Sequence, residues 1–202
     1  MAFADLSLKE FSEEVASSKP TPGGGSVAAL SAALSSALLK MVIVLTKDNN
    51  ELDSFKSDLK KDIKDAFHLM DKDSDSFNKV MKAFKMSKET ESEKEKRKES
   101  IQAGLKEASL TPLDTMKLAY KLIEVSIKVA RHGNKNAVTD AGVAGYMAFS
   151  ALQGGYYNVI INTASIKDEK FVDNIEKEAK QMLTESKDFL EELNETVINT
   201  VT

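Results

Sequence analysis

A chain of 202 residues, 42% hydrophobic and 30% charged, has the make-up of one globular domain that can bury a core without cross-links. It contains no cysteine, which excludes disulfides, thiolate metal sites and a cysteine nucleophile, and its two histidines leave any metal site to rest mainly on carboxylates. The net charge of −4 argues against nucleic-acid binding, which shows itself as a basic excess or stripe.

From the N-terminus, residues 1–10 carry acidic groups and no apolar run, so no signal peptide is expected. Ser7 and Glu10 have the spacing of a capping box, and Leu8, Phe11 and Val15 then share one helical face. This first helix stops at the serines and lysine before Pro20. Pro20, Pro22 and Gly23 to Ser26 form an irregular segment, and a second helix is expected from Ser26 to about Lys47. Ala29, Ala33 and Ala37 lie on one of its faces and Ala28, Ala32 and Ser36 on the next, so another backbone can come close. Val27 to Leu45 is long enough to span a bilayer. Ser31, Ser35, Ser36 and Lys40 interrupt it, so it is read as a helix buried in a bundle and not as a membrane span.

A third helix starts at Asn50, with Leu52, Phe55, Leu59, Ile63, Phe67 and Met70 in helical register, extended by Phe77, Val80, Met81 and Phe84. A break near Asp71 is left open. Residues 87–100 are almost solidly charged and are read as a solvated helix or a mobile loop. Ile101, Leu105 and Ala108 mark a further face. Thr111, Pro112 and Asp114 have the order of an N-cap, a first-turn proline and an acidic third residue, which predicts a fresh helix to about Ala130. Residues 131–136 read as a loop. An apolar segment follows from Ala137 to Ile166, and the last helix begins near Asp168. Met41 to Thr46 and Tyr156 to Ile161 have strand-like composition, but both sit inside alanine-rich patterns and are read as helix. The expectation is an all-α, single-domain helical bundle of about six to seven helices over residues 1–202.

Four groups of residues could carry chemistry. Gly23, Gly24, Gly25 and Ser26 precede a helix; glycine permits positive φ and close approach, and the free N–H groups of a helix start favour negative charge. No phosphate-binding motif is present, and the competing reading is a tight connector with Ser26 as N-cap. Asp71, Asp73 and Asp75 imitate the start of a calcium loop, but Ser76 and Lys82 stand where glycine and glutamate are needed. A carboxylate just before Phe77 can have a raised pKa and act as acid or base; the alternative is a solvated acidic turn. Asn134, Asn136, Thr139 and Asp140 either cap a helix or form the rim of a pocket. Asn158 and Asn162 share a helical face and need partners if buried. His68 reads as a surface residue, and His132 as a weak candidate for proton transfer.

Pro20 to Leu30 continuing to Thr46, Leu69 to Phe77, Gly133 to Ala141 and Asn158 to Asn162 together resemble, in order and at matching spacing, the signatures of the formiminotetrahydrofolate cyclodeaminase / methenyltetrahydrofolate cyclohydrolase family. The resemblance implies an all-α homodimer, placed in the cytoplasm, that acts on the N5–C–N10 bridge of tetrahydrofolate. It implies a folate derivative as substrate, no metal or redox cofactor, and no nucleic-acid or membrane partner. Cyclodeaminase activity is placed first, cyclohydrolase second, and a non-catalytic folate-binding or interaction module third. In the animal enzyme this unit is fused to a formiminotransferase, so a stand-alone unit is expected either to draw substrate from a separate transferase or to work as the cyclohydrolase. The expected site brings the Gly23–Ser26 loop, Asp73 and residues 134–140 into one pocket. Asp73 and Asp140 are its catalytic groups, and Gly23, Gly24, Gly25, Ser26, Asn134, Asn136, Asn158 and Asn162 its substrate-binding groups.

Overall fold

The computed structural model describes residues 2–47 and 50–202; among them are six α-helices and no strand. The helices are α1 (Leu8–Val15), α2 (Gly24–Val44), α3 (Asn50–Phe84), α4 (Glu91–His132), α5 (Val138–Thr163) and α6 (Glu169–Val201), with single 3-10 turns at Phe3–Asp5 and Lys135–Ala137.

Local chemistry sets three of the six helix starts. Ser7 accepts from Glu10 N at 3.2 Å and its own N–H donates to Glu10 Oε2 at 2.9 Å, which completes the capping box of α1. Thr90 and Glu93 do the same for α4, at 3.2 and 2.9 Å. The charged segment 87–100 therefore supplies the first turns of α4, with Lys94–Glu91 and Lys98–Glu95 pairs on its solvent side. Arg97 reaches back and donates to Phe84 O through Nη2 at 3.0 Å and Nε at 3.2 Å, meeting an orphan carbonyl at the end of α3. α3 passes Asp71 without a break, and Asp168 caps α6 by accepting from Phe171 N at 3.1 Å.

Three expected boundaries move. α2 begins at Gly24, with Gly23 as an N-cap that uses no side chain, and ends at Val44 before reaching Lys47. Before α5 the capping carboxamide is Asn134, which accepts from Asn136 N at 3.0 Å; neither Asn136 nor Thr139 caps. The helix expected to start at Thr111–Pro112 does not exist as a separate element. Both residues are buried inside α4, one helix of 42 residues and about 63 Å. A proline at a first turn and a proline in a helix interior look alike in sequence. Here the interior position holds because α4 packs closely against α5 at Pro112 and the carbonyl that Pro112 orphans finds another donor.

α5 is sandwiched between α2, α4 and α6. It approaches them through small residues: Ala141, Ala144, Ala148 and Ala151 are fully buried, as are Ala29 and Ala32 of α2. A methyl group added at Gly155 would lie 2.6 Å from Met116 Cγ and 3.0 Å from Pro112 O, and one added at Gly145 would overlap Leu193 and sit 2.8 Å from Ser126 Oγ. Leu39, Ile43, Leu122, Ile123, Leu152 and Leu193 fill the remaining core. α2 is long and apolar enough to cross a membrane by length and composition, but half of that stretch is buried inside the bundle. Gly145→Val forces a branched side chain into the Leu193–Ser126 contact. It is expected to lower stability by about 2 kcal/mol, a fall in Tm of roughly 4–8 °C for a chain of this size, read by thermal denaturation.

Candidate active site

The site is built from the first turn of α2. The first intrahelical bond there runs from Val27 N to Gly23 O at 3.1 Å, so the N–H groups of Gly24, Gly25 and Ser26 have no acceptor within the helix. α3 carries Asp73 into this turn. A methyl group at Gly25 would stand 2.5 Å from Asp73 Cγ, so the carboxyl group occupies the space a side chain would need. No described glycine has positive φ. What the glycine run supplies is therefore room, and not the left-handed backbone that the sequence also permitted.

Ser26 is not the N-cap but a fully buried residue in the first turn, with Oγ 3.0 Å from Asp73 Oδ2, 3.1 Å from Met70 O and 3.2 Å from Ser74 Oγ. A hydroxyl has one hydrogen, so Ser26 donates either to Asp73 or to the Met70 carbonyl. When Asp73 is ionised, Ser26 donates to it. When Asp73 is protonated, its O–H can donate to Ser26 Oγ while Ser26 turns to Met70 O. The arrangement thus accommodates both protonation states. Burial raises the Asp73 carboxyl above the ordinary aspartate range, and the Ser26 hydrogen bonds pull it down without cancelling the effect.

The carboxyl group looks into a cavity of about 330 Å3 at the junction of α2, α3, α4 and α5. This is at the small end of ligand sites, which run from roughly 300 to 1,000 Å3. Phe77, Val80, Met81 and Phe84 of α3 and Ile161 of α5 make its apolar wall. Asn158 Nδ2 donates to Gly154 O and Asn162 Nδ2 donates to Ala108 O, both at 2.8 Å. A carbonyl can only accept, so these contacts assign the NH2 side of each carboxamide and leave both Oδ1 atoms to accept from a ligand.

The structure brings Gly23, Gly24, Gly25, Ser26, Asp73, Asn158 and Asn162 together and separates the other three expected residues from them. Asn134 stitches the end of α2 to the turn before α5: its N–H donates to Thr46 Oγ1 at 2.9 Å and its Nδ2 to Leu45 O at 3.0 Å. Asn134 and Asn136 border a different, polar depression, shared with the exposed His132. Asp140 is half-buried in the first turn of α5, five turns or about 27 Å of helix away from Asn158. The two ends of one straight helix cannot meet within a protomer. His68 is exposed, as expected.

The sequence reading missed the role of Phe77, Met81 and Phe84. It placed them on the core stripe of α3, yet they are 37%, 37% and 45% exposed and wall the cavity. Their distance from Asp73 in the chain, at helical spacing, was the signal that could have placed them on the carboxyl's own face.

The all-helical scaffold thus presents one half-buried carboxyl group and two oriented carboxamides to a small half-open cavity, an arrangement suited to proton transfer with a small polar ligand. The family model of formiminotransferase-cyclodeaminase matches residues 7–181. The chain is 34% identical over 197 residues to the methenyltetrahydrofolate cyclohydrolase of Methylorubrum extorquens, covering 94% of this chain and 95% of that protein. It is 32% identical over 191 residues to the formimidoyltransferase-cyclodeaminase of Mus musculus, covering 91% of this chain but 35% of that protein. The fold is similar to that of formiminotetrahydrofolate cyclodeaminase from Thermotoga maritima, with a TM-score of 0.81, 31% identity and 98% of each chain covered. This chain belongs to the formiminotransferase-cyclodeaminase family, and spans about a third of the mouse relative's length.

Asp73→Asn is expected to lower activity by about 100-fold or more, the range for loss of a general acid or base. The folded pKa of Asp73 lies above its unfolded value. Its contribution to stability is therefore fully present below the unfolded pKa and lost as pH rises through the folded pKa. Denaturation as a function of pH is expected to show the wild type losing more stability than Asp73→Asn across that interval. Gly25→Ala is expected to displace the carboxyl group and lose activity comparably, with a lowered Tm. Wild-type activity in both variants would remove Asp73 from the catalytic role.

Proposed function

We propose that this chain is a one-carbon folate enzyme that works as a formiminotetrahydrofolate cyclodeaminase. The observation that carries the reading is the half-buried Asp73 carboxyl, whose raised pKa suits it to deliver a proton to a leaving nitrogen, set beside an apolar wall of Phe77, Val80, Met81 and Ile161. N10 adds to the formimino carbon and its proton moves to the imino nitrogen, which makes a tetrahedral carbon between N5 and N10. Asp73 gives its proton to the resulting amino group, the C–N bond breaks and ammonia leaves. The 5,10-methenyl cation then faces the Asp73 carboxylate, an ion pair that a poorly solvated pocket strengthens. The carboxylate regains a proton from water, so each turnover consumes one. The N–H groups of the pterin find acceptors in the Oδ1 atoms of Asn158 and Asn162. Every step uses acid–base chemistry and no cofactor, and a formiminotransferase activity would supply the substrate.

The nearly full-length likeness to a cyclohydrolase favours a second reading, in which the ionised Asp73 activates water for addition to the methenyl carbon and 10-formyltetrahydrofolate forms.

The chain is also proposed to pair with itself through the outer faces of α2 and α5. Val27, Leu34, Met41 and Val44 of α2 and Val143, Tyr146, Tyr157 and Ile161 of α5 are 38–70% exposed, and Lys40 and Asp140 are the sole charged residues of these two helices. Asn136 and Asp140 continue the Val143–Ile161 stripe, so antiparallel pairing along α5 would bring them towards the partner's cavity.

Two assays on the purified protein separate the reactions. Methenyltetrahydrofolate absorbance is expected to rise when formiminotetrahydrofolate is supplied, with ammonia released in equal amount. Loss of methenyltetrahydrofolate well above its spontaneous hydrolysis, without ammonia from the formimino compound, would establish the cyclohydrolase instead. Folate binding with no turnover of either would leave a binding module. Light scattering is expected to give the mass of a dimer, and Tyr146→Lys to shift it towards the monomer.

A further inference from the structure

A proline in the interior of a helix removes one N–H and leaves the carbonyl four residues earlier without its helical donor. In α4 that carbonyl belongs to Ala108, and it lies on the wall of the cavity. It is not left unpaired: Asn162 Nδ2, from α5, donates to it at 2.8 Å. The two helices are pressed together at this level, since a methyl group at Gly155 would come 3.0 Å from Pro112 O.

We propose that Pro112 is a positioning residue for Asn162, fixing which end of its carboxamide the cavity presents. This inference rests on the reading of the cavity as the substrate site. The proline ring pushes the Ala108 carbonyl off the helix axis towards α5, where it accepts from Asn162. Turned the other way, the carboxamide would set Oδ1 against the carbonyl oxygen, two acceptors with no hydrogen between them. The Asn162 oxygen is thereby held towards the ligand as an acceptor for a ring N–H. Asn158 reaches the same polarity by donating to Gly154 O of its own helix. Two carboxamides that could each have offered a donor or an acceptor thus both offer an acceptor. Each NH2 keeps a second hydrogen, so what the two bonds fix is the direction of the oxygens, which favour a ligand edge that offers an N–H to each.

Pro112→Ala restores the N–H at position 112, and the helical bond to Ala108 O re-forms. A proline kept for stability would give a lower Tm on replacement. A positioning proline gives a Tm that is unchanged or raised, because alanine is the better helix former. The test measures three quantities on the full chain. Hydrogen exchange of the Asn162 side-chain NH2, followed by NMR without any ligand, is expected to speed up about tenfold in Pro112→Ala. KM for the folate substrate is expected to rise about tenfold, with kcat changed less than threefold. In the Asn162→Ala background, adding Pro112→Ala is expected to change KM no further. Unchanged exchange at Asn162 overturns the proposal, as does a lowered Tm with an unchanged KM. If neither substrate is turned over, the functional reading fails. The exchange experiment then still decides whether Pro112 holds Asn162.

Discussion

A carboxyl group withdrawn from water resists ionisation, and the cavity is organised around the one at Asp73. It fits only because Gly25 has no side chain, and it keeps a partner in both protonation states only because Ser26 can donate either to it or to Met70 O. Both conditions require α2 and α3 to lie closer than two helices with ordinary side chains would allow. Ala29, packed with Leu69 and Met70 of α3, provides that spacing on α2. The next turn of α3 is tied down as well, since Asp71 Oδ1 accepts from Phe3 N at 2.7 Å. The small-residue core thus sets how closely a charge-bearing side chain can be held against a helix start.

Two helix ends of opposite polarity face the cavity. The N–H groups at the start of α2, which have no acceptor within the helix, lie beside Asp73 and favour its ionised form, that of Ser26 by bonding to it, while Asn158 and Asn162 occupy the last turns of α5, where the macrodipole is negative. Burial opposes the first effect and prevails in the resting site, where the Asp73 pKa is raised. Once a proton has moved to the substrate the balance changes. The carboxylate then sits at a positive helix end, and the cation forms towards a negative one. Charge separation in the proposed reaction is met by dipoles already in place, which need no reorganisation when the charge appears.

The helical fold could be read from the sequence because its signals are local. Ser7–Glu10 and the period of α3 and α6 depend on residues within a few turns of each other. Pro112 defeated the same approach, because whether a proline opens a helix or lies inside one is decided by what meets the orphaned carbonyl, here Asn162 from 54 residues away. Half of the site was legible for a similar reason: Gly23 to Ser26, Asp73, Asn158 and Asn162 each stood out as polar or glycine residues in surroundings that did not call for them. Asn134, Asn136 and Asp140 stood out equally, but the structure sets them apart from the cavity: Asn134 caps the turn before α5 and stitches it to α2, and Asp140 lies in the first turn of α5. Sequence proximity to α5 could not show that they lie at the far end of it. Phe77 and Phe84 were hidden by the opposite effect, since periodicity reports a shared face and not whether that face meets protein or a cavity.

The relatives' two named reactions make similar demands on a carboxyl group, so Asp73 alone does not separate them. Ring closure with loss of ammonia leaves a methenyl cation that water would attack, whereas the hydrolase needs that attack. The difference must lie in how much water reaches the carbon. Phe77, Val80, Met81 and Ile161 line the cavity beside Asp73, and Phe84 stands 45% exposed. These side chains carry no group that could hold a nucleophilic water, and a bound pterin would cover much of their surface. In the proposed deamination an apolar wall covered by the bound pterin would shield the cation, and a polar residue substituted at the level of Met81 or Ile161 would supply the water site that a hydrolase needs. The character of this wall, more than the acid it surrounds, is where two enzymes of one family can part.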